Sequence, residues 1–65
     1  MQKVLAGALW RDPEGWLYLE TLLGDRYRLV EPQMITLTET REKVKTDELQ
    51  EYHYGQYVVA TCVVK

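Results

Sequence analysis

Lys3–Val30, KVLAGALWRDPEGWLYLETLLGDRYRLV, decides the fold. Two turn signals cut it into three apolar runs, so it reads as two consecutive β-hairpins forming a three-strand meander. Asp12-Pro13-Glu14-Gly15 is the sharper signal. Proline presets φ for the second position of a type I turn, and glycine accepts the left-handed conformation that follows. Together they make the usual three-residue hairpin loop. With Asp12 and Trp16 flanking it, paired residues have numbers summing to 28: Trp10 faces Tyr18, Leu9 faces Leu19, Ala6 faces Leu22 and Leu5 faces Leu23. Gly24-Asp25 is the second signal, and glycine in first place suits a two-residue type II′ loop. In that register Leu23 faces Arg26, Leu22 faces Tyr27 and Glu20 faces Leu29.

Side chains alternate across a strand, so this register assigns two faces. One carries Val4, Ala6, Ala8, Trp10, Trp16, Tyr18, Leu22, Tyr27 and Leu29, with Glu20 as its only charge. The other carries Leu5, Leu9, Leu17, Leu19, Leu23 and Val30, mixed with Arg11, Thr21, Arg26 and Arg28. The first face reads as the core. The second is too apolar for an ordinary solvated face and too charged for a plain core, which makes it the candidate docking face. A slip of one residue exchanges the two assignments.

The rest of the chain must pair with or cover these strands. Strand 1 spans about Lys3–Arg11, with Gly7 marking a bulge or bend. Strand 2 spans Trp16–Leu23 and strand 3 Arg26–Val30, ended by Pro32. Over Met34–Thr40, Ile35 and Leu37 alternate with Thr36, Thr38 and Thr40, predicting a fourth strand that runs on to about Lys45. Thr46–Tyr52 reads as a short helical turn capped by Thr46, with Leu49 and Tyr52 leaning on the sheet. Gln56–Val64, QYVVATCVV, is apolar on both faces and predicts a covered last strand. The expected fold is all-β: a five-stranded, strongly bent sheet or small barrel of SH3-like or OB-like size with one short helical turn. The fallback is α+β, with a helix over Glu39–Tyr52.

Sixty-five residues make a single domain, residues 1–65, and a chain this short is marginal unless it packs well or associates. Its single cysteine, Cys62, excludes an intrachain disulfide, and Cys62, His53 and two methionines lack the paired spacing of a metal site. No GxGxxG, Walker, CxxC or HExxH motif is present, so no cofactor is expected. There is no serine for nucleophilic catalysis, and Cys62 sits among valines with no cation to activate it. A net charge of −2 does not suit a non-specific nucleic-acid binder, although Lys3, Arg11, Arg26 and Arg28 would cluster if the strands pair as above. No apolar run reaches the roughly 18 residues of a membrane span, and the apolar run near Met1 is cut short by Arg11 and Asp12, so the chain reads as soluble and cytoplasmic.

These exclusions leave a non-enzymatic protein-interaction module: a regulator, accessory subunit or inhibitor that occupies a partner protein's surface, with a homodimer as its simplest form. The partner-binding candidates are Leu9, Leu17 and Leu19 with Arg11, Arg26 and Arg28, joined by Tyr52 and Tyr54 from the Tyr52-His53-Tyr54 cluster, where tyrosine serves as an amphipathic contact residue. His53 beside them reads as a packed or surface residue before a catalytic one. The acidic segment Asp47, Glu48 and Glu51 reads as a solvated face. The alternative is a nucleic-acid-binding small barrel using Arg11, Arg26 and Arg28 with exposed aromatics.

Overall fold

The computed structural model describes Met1–Lys65. It contains six strands: β1 Gln2–Arg11, β2 Leu17–Glu20, β3 Arg26–Arg28, β4 Met34–Leu37, β5 Lys43–Lys45 and β6 Tyr57–Val63. Two single 3-10 turns, Thr46–Glu48 and Glu51–His53, lie between β5 and β6. Every pairing is antiparallel and the sheet order is β3-β2-β1-β6-β4-β5. The fold is a small all-β bent sheet. The sixth strand arises because Gln33–Lys45 doubles back as the β4–β5 hairpin, with Arg41 at a left-handed φ of 62° in its turn. No helix is long and apolar enough to cross a membrane.

The first hairpin has the expected register, with Leu9 opposite Leu19 and Trp10 opposite Tyr18. It ends sooner than its apolar run, at Ala8–Glu20, so Ala6 and Leu5 never meet Leu22 and Leu23. Gly7 explains the stop. A Cβ built there would lie 2.6 Å from the Glu20 carbonyl oxygen, so β1 passes β2 at a distance only glycine permits. Below that point β1 pairs with β6 alone, from Gln2–Val63 to Ala8–Tyr57.

The second hairpin corrects the sequence reading. Its pairs are Tyr18–Arg28, Leu19–Tyr27 and Glu20–Arg26, summing to 46 where the two-residue loop required 49. The loop has three residues, Leu22–Gly24, closed by Thr21 and Asp25. Because the change in register is odd, β3 turns over. Tyr27 and Leu29 therefore join Leu9, Leu17 and Leu19, whereas Arg26 and Arg28 move to the Trp10 and Tyr18 side. Leu22 and Leu23 leave the strands for the loop that Thr21 closes.

That flip also reverses the two faces. The core is Leu9, Leu17, Leu19, Leu29, Ile35, Leu37, Val44, Val58, Ala60 and Cys62, with Leu5, Tyr27, Leu49 and Tyr54 packed around it. Freed of Arg26 and Arg28, the leucine face is apolar except for Arg11 at its end, opposite Leu17. The alternating residues of β4 and β6 close over it. The tryptophan face, expected inside, is the outer face.

Between β3 and β4 the sheet bends until Leu29 bridges Cys62 of β6. This single bridge joins the β3 side of the sheet to β6, an interior strand, without closing a barrel. On the β4 side of the bridge, Gln33 fills the gap. Its Nε2 donates to the carbonyls of Val30 (2.7 Å) and Thr61 (2.6 Å), and its Oε1 accepts the Thr61 N–H (2.9 Å). One side-chain amide thus stands in for a missing stretch of ladder. The Glu31–Pro32 peptide bond leading into it is cis.

The 3-10 segment covers the open end of the core. Thr46 does not cap it; its Oγ1 accepts the Gln33 N–H at 3.1 Å, and the turn has no side-chain cap. Leu49 leans inward as expected, but Tyr52 is exposed and His53 is the buried residue.

Candidate interaction surface

The outer face of β1–β2–β3 holds a grid of aromatic and charged side chains. Its rows follow from the register. Trp10, Tyr18 and Arg28 lie side by side, and Ala8, Glu20 and Arg26 form the next row. Trp16 stands beyond Tyr18, where the loop returns to β2. The Arg28 guanidinium carbon lies 3.4 Å from the centroid of the Trp16 ring, and that of Arg26 lies 5.3 Å from the Tyr18 ring. Each exposed cation–π contact of this kind contributes about 0.5–1 kcal/mol. Arg26 Nε also faces Glu20 Oε1 at 3.4 Å, a pair too exposed to add more than about 0–1 kcal/mol.

The grid sits on strands whose opposite side is fully packed. Leu17 and Leu19, which alternate with Tyr18 and Glu20, have no exposed surface. Trp10 remains 40% exposed, and Trp16 44% in spite of Arg28 on its ring. Trp10 rests against Gly55: a Cβ there would lie 3.4 Å from the ring, so glycine lets the end of the 3-10 segment support the indole. The apolar character continues along β1 and β6 through exposed Val4, Tyr57 and Val63, with half-buried Val59 between them. At the other end, Leu22 and Leu23 project from the second loop, each 90% exposed.

The predicted partner-binding residues separate into four groups. Leu9, Leu17 and Leu19 are core residues, so they cannot meet a partner while the chain is folded; the odd register change accounts for their misplacement. Arg26 and Arg28 are on the surface but on the opposite face from Arg11, so the expected arginine cluster does not form. Arg11 instead joins Tyr54: its Nε donates to the Tyr54 hydroxyl at 2.7 Å, and its Nη1 to the Gly15 carbonyl at 2.6 Å. Tyr52 is exposed, with its ring 4.2 Å from that of His53. The residues that replace the leucines are Trp10, Trp16, Tyr18, Leu22 and Leu23. Glu20 was their signal, because a charge in the middle of a strand belongs on the solvent side.

The two groups with the most reactive chemistry are both enclosed. Burial pushes the Cys62 thiol above its ordinary value, and its Sγ–H donates to the Ala60 carbonyl at 3.8 Å. His53 Nδ1 accepts the Gln50 N–H at 2.9 Å, which places the imidazole proton on Nε2. That Nε2 is buried and has no hydrogen-bond partner. No three histidine, cysteine or acidic side chains gather as metal ligands. No family model, curated protein or solved structure matches the chain.

Proposed function

We propose that this chain is a non-enzymatic protein-interaction module, a small regulator, accessory subunit or inhibitor, that holds a partner protein on the outer face of β1–β2–β3. The observation that carries this reading is the grid of Trp10, Trp16, Tyr18, Arg26 and Arg28, displayed on strands fixed from behind by a leucine core. Tryptophan, tyrosine and arginine dominate interface hot spots, and a rigid mount reduces the ordering cost of binding. Leu22 and Leu23 extend the surface at its edge. A second copy of the chain is the simplest partner. A reducing compartment such as the cytoplasm suits the free thiol of Cys62.

Nucleic-acid binding is the competing reading, and the same geometry weighs against it. Arg28 lies on the ring of Trp16 that a base would need for stacking, and Glu20 offsets Arg26. The net charge of −2 supplies no long-range attraction for phosphate.

The test compares the wild-type chain with Trp16→Ala/Arg28→Glu. Light scattering over a wide dilution range measures self-association, and tagged-chain capture identifies other bound species. The expected result is a protein complex, with itself or a partner, that survives higher salt and is lost in the variant. Both substitutions are on the surface, so the fold should persist; circular dichroism checks it. Retention of every complex by the variant would defeat the proposal. So would a bound species that is nucleic acid and dissociates steeply with salt.

A further inference from the structure

Gly7 leaves half of β1 without a neighbour on one side. The β1–β2 ladder stops at Ala8–Glu20, while β1 continues along β6 from Ala8 down to Gln2. Backbone direction over that half follows from the hydrogen bonds at its two ends. Leu9 N–H donates to the Gln56 carbonyl, and Val64 N–H donates to the Met1 carbonyl. In an antiparallel ladder, alternate residues point to opposite edges. Lys3, Leu5 and Gly7 therefore bond to β6, and the N–H and C=O groups of Gln2, Val4 and Ala6 face the other side. The second hairpin turns away at Thr21, and no hydrogen bond from its loop reaches these residues. All three are exposed, Val4 by 68%.

The other strand edges are closed or defended. β3 is met on its outer edge by the Leu29–Cys62 bridge. β5 turns the backbone groups of Lys43 and Lys45 outward, because its bonds to β4 run from Leu37 N–H to the Glu42 carbonyl and from Thr46 N–H to the Gln33 carbonyl. A second β5 paired there would set lysine opposite lysine, a common protection of an exposed edge. The residues of β1 that face outward carry no charge, and an undefended edge is a template for another strand.

This stretch fits a second copy of itself. Antiparallel pairing centred on Val4 sets Val4 against Val4, Gln2 against Ala6 and Lys3 against Leu5. Every outward N–H and C=O of Gln2, Val4 and Ala6 then finds a partner. Centring the pair on Lys3 instead sets lysine against lysine, which opposes pairing. Centring it on Leu5 sets Gln2 against Ala8, which Glu20 already holds.

We propose that the chain forms a symmetric dimer in which the β1 edges of two copies pair antiparallel about Val4, joining both sheets into one. This goes beyond the outer-face reading and does not depend on it. The tip of each second hairpin then lies at the end of the other copy's β1, where Leu22 and Leu23 come together with exposed Met1. Residues opposite each other in an antiparallel pair share a face, so both tryptophan faces look the same way. A third protein would meet two of them at once.

Light scattering on the wild-type chain should show a mass that doubles as concentration rises towards about 1 mM, enough to reveal even a millimolar dimer. In the same samples, NMR hydrogen exchange at the Val4 and Ala6 amides should slow about tenfold or more relative to Lys3 and Leu5, which are bonded to β6 in either state. Val4→Lys and Val4→Glu each set like charges across the two-fold axis. Either alone should stay monomeric where the wild type is dimeric, and an equimolar mixture should regain the dimer, because lysine then faces glutamate. Val4 is exposed, so both variants should fold; circular dichroism checks this. Four results would each overturn the proposal: a monomer at every concentration; a dimer whose Val4 and Ala6 amides gain no protection; single variants that dimerise like the wild type; or a mixture that stays monomeric. Trp16→Ala/Arg28→Glu separates the two readings, since it should keep this dimer while losing an outer-face partner. Loss of the dimer in that variant would assign self-association to the outer face and overturn the edge pairing.

Discussion

The two loops of the meander have the same backbone and almost nothing else in common. In the first, Asp12 N–H donates to Trp16 O and Gly15 N–H to Asp12 O, both at 2.9 Å. In the second, Thr21 N–H donates to Asp25 O at 2.8 Å and Gly24 N–H to Thr21 O at 2.9 Å. The glycines take nearly equal left-handed angles, 94° and 87°. Each is a type I turn followed by a left-handed glycine. The first advertises itself with proline and an aspartate whose Oδ1 accepts two backbone N–H groups, from Glu14 and Trp16. The second carries Leu22-Leu23 where the first has Pro13-Glu14, and its Thr21 Oγ1 accepts one long bond from Asp25 N–H at 3.3 Å. Glycine at the fourth position suffices for the turn, and the other residues are free for other uses. In the second loop that freedom leaves two leucines in solvent.

The largest effect should come from the residue both hairpins share. Leu19 pairs with Leu9 in one and Tyr27 in the other, and is fully buried. Leu19→Ala should cost about 3–4 kcal/mol, the range for a leucine removed from a packed core. Tyr18→Ala, on the other face of the same strand, should cost under about 1 kcal/mol. Denaturant titration distinguishes the two. Equal costs would mean that the inner and outer faces have been assigned the wrong way round.

This prediction also marks where the sequence was legible. The first loop, the Leu9–Leu19 register, the buried pair Ile35 and Leu37 and the apolar last strand were readable from local chemistry. The second register was not, because Gly24-Asp25 satisfies two loop lengths and the leucines before it resemble strand. That single ambiguity moved Arg26 and Arg28 onto the leucine face and made the core look charged. Leu9, Leu17 and Leu19 then passed for a docking surface, while the tryptophan face passed for the interior. Arg11 meeting Tyr54, and Gln33 filling a ladder gap, depend on contacts 43 and 28 residues apart, beyond any local pattern.

The loop glycines give the next effect. Neither has any heavy atom within 4 Å of a built Cβ, so substitution tests conformation alone. Gly15→Ala and Gly24→Ala should each cost about 1–2 kcal/mol, the penalty of a left-handed L-residue. Matching losses in chemical melts would confirm that the turns are equivalent. A negligible loss at Gly24 alone would show the second loop able to relax into another form.

The hairpins differ in their anchorage, and pH separates them. The first pairs with β6 along seven residues of β1, whereas the second reaches it only through the single Leu29–Cys62 bridge. Burial raises the Cys62 thiol above 9.0, so in alkali the unfolded chain ionises first and the native chain holds its proton. Stability from this group is complete below about pH 9 and is lost as pH rises past it, by at most about 1.4 kcal/mol per pH unit. Cys62→Val should flatten that alkaline decline in a series of denaturant melts. Exchange of second-hairpin amides should rise before that of the first, after correction for intrinsic rates. An alkaline slope unchanged by Cys62→Val would assign the decline to other groups.

The smallest effect is the most direct comparison: moving the first loop onto the second. Thr21→Asp/Leu22→Pro/Leu23→Glu gives the second hairpin the Asp-Pro-Glu-Gly of the first. If the turns are the same, aspartate regains a stronger bond to the loop N–H groups, and proline narrows the unfolded ensemble. Losing two leucines costs nothing in the core, because both side chains are in solvent. Stability should rise by about 0.5–1 kcal/mol, with Tyr18–Arg28 pairing intact by NMR. A fall in stability would mean that the second turn tolerates leucine for a backbone reason the first does not share. A rise accompanied by weaker partner capture would mean that Leu22 and Leu23 stay exposed for binding, at the expense of a turn that a better sequence would hold more firmly.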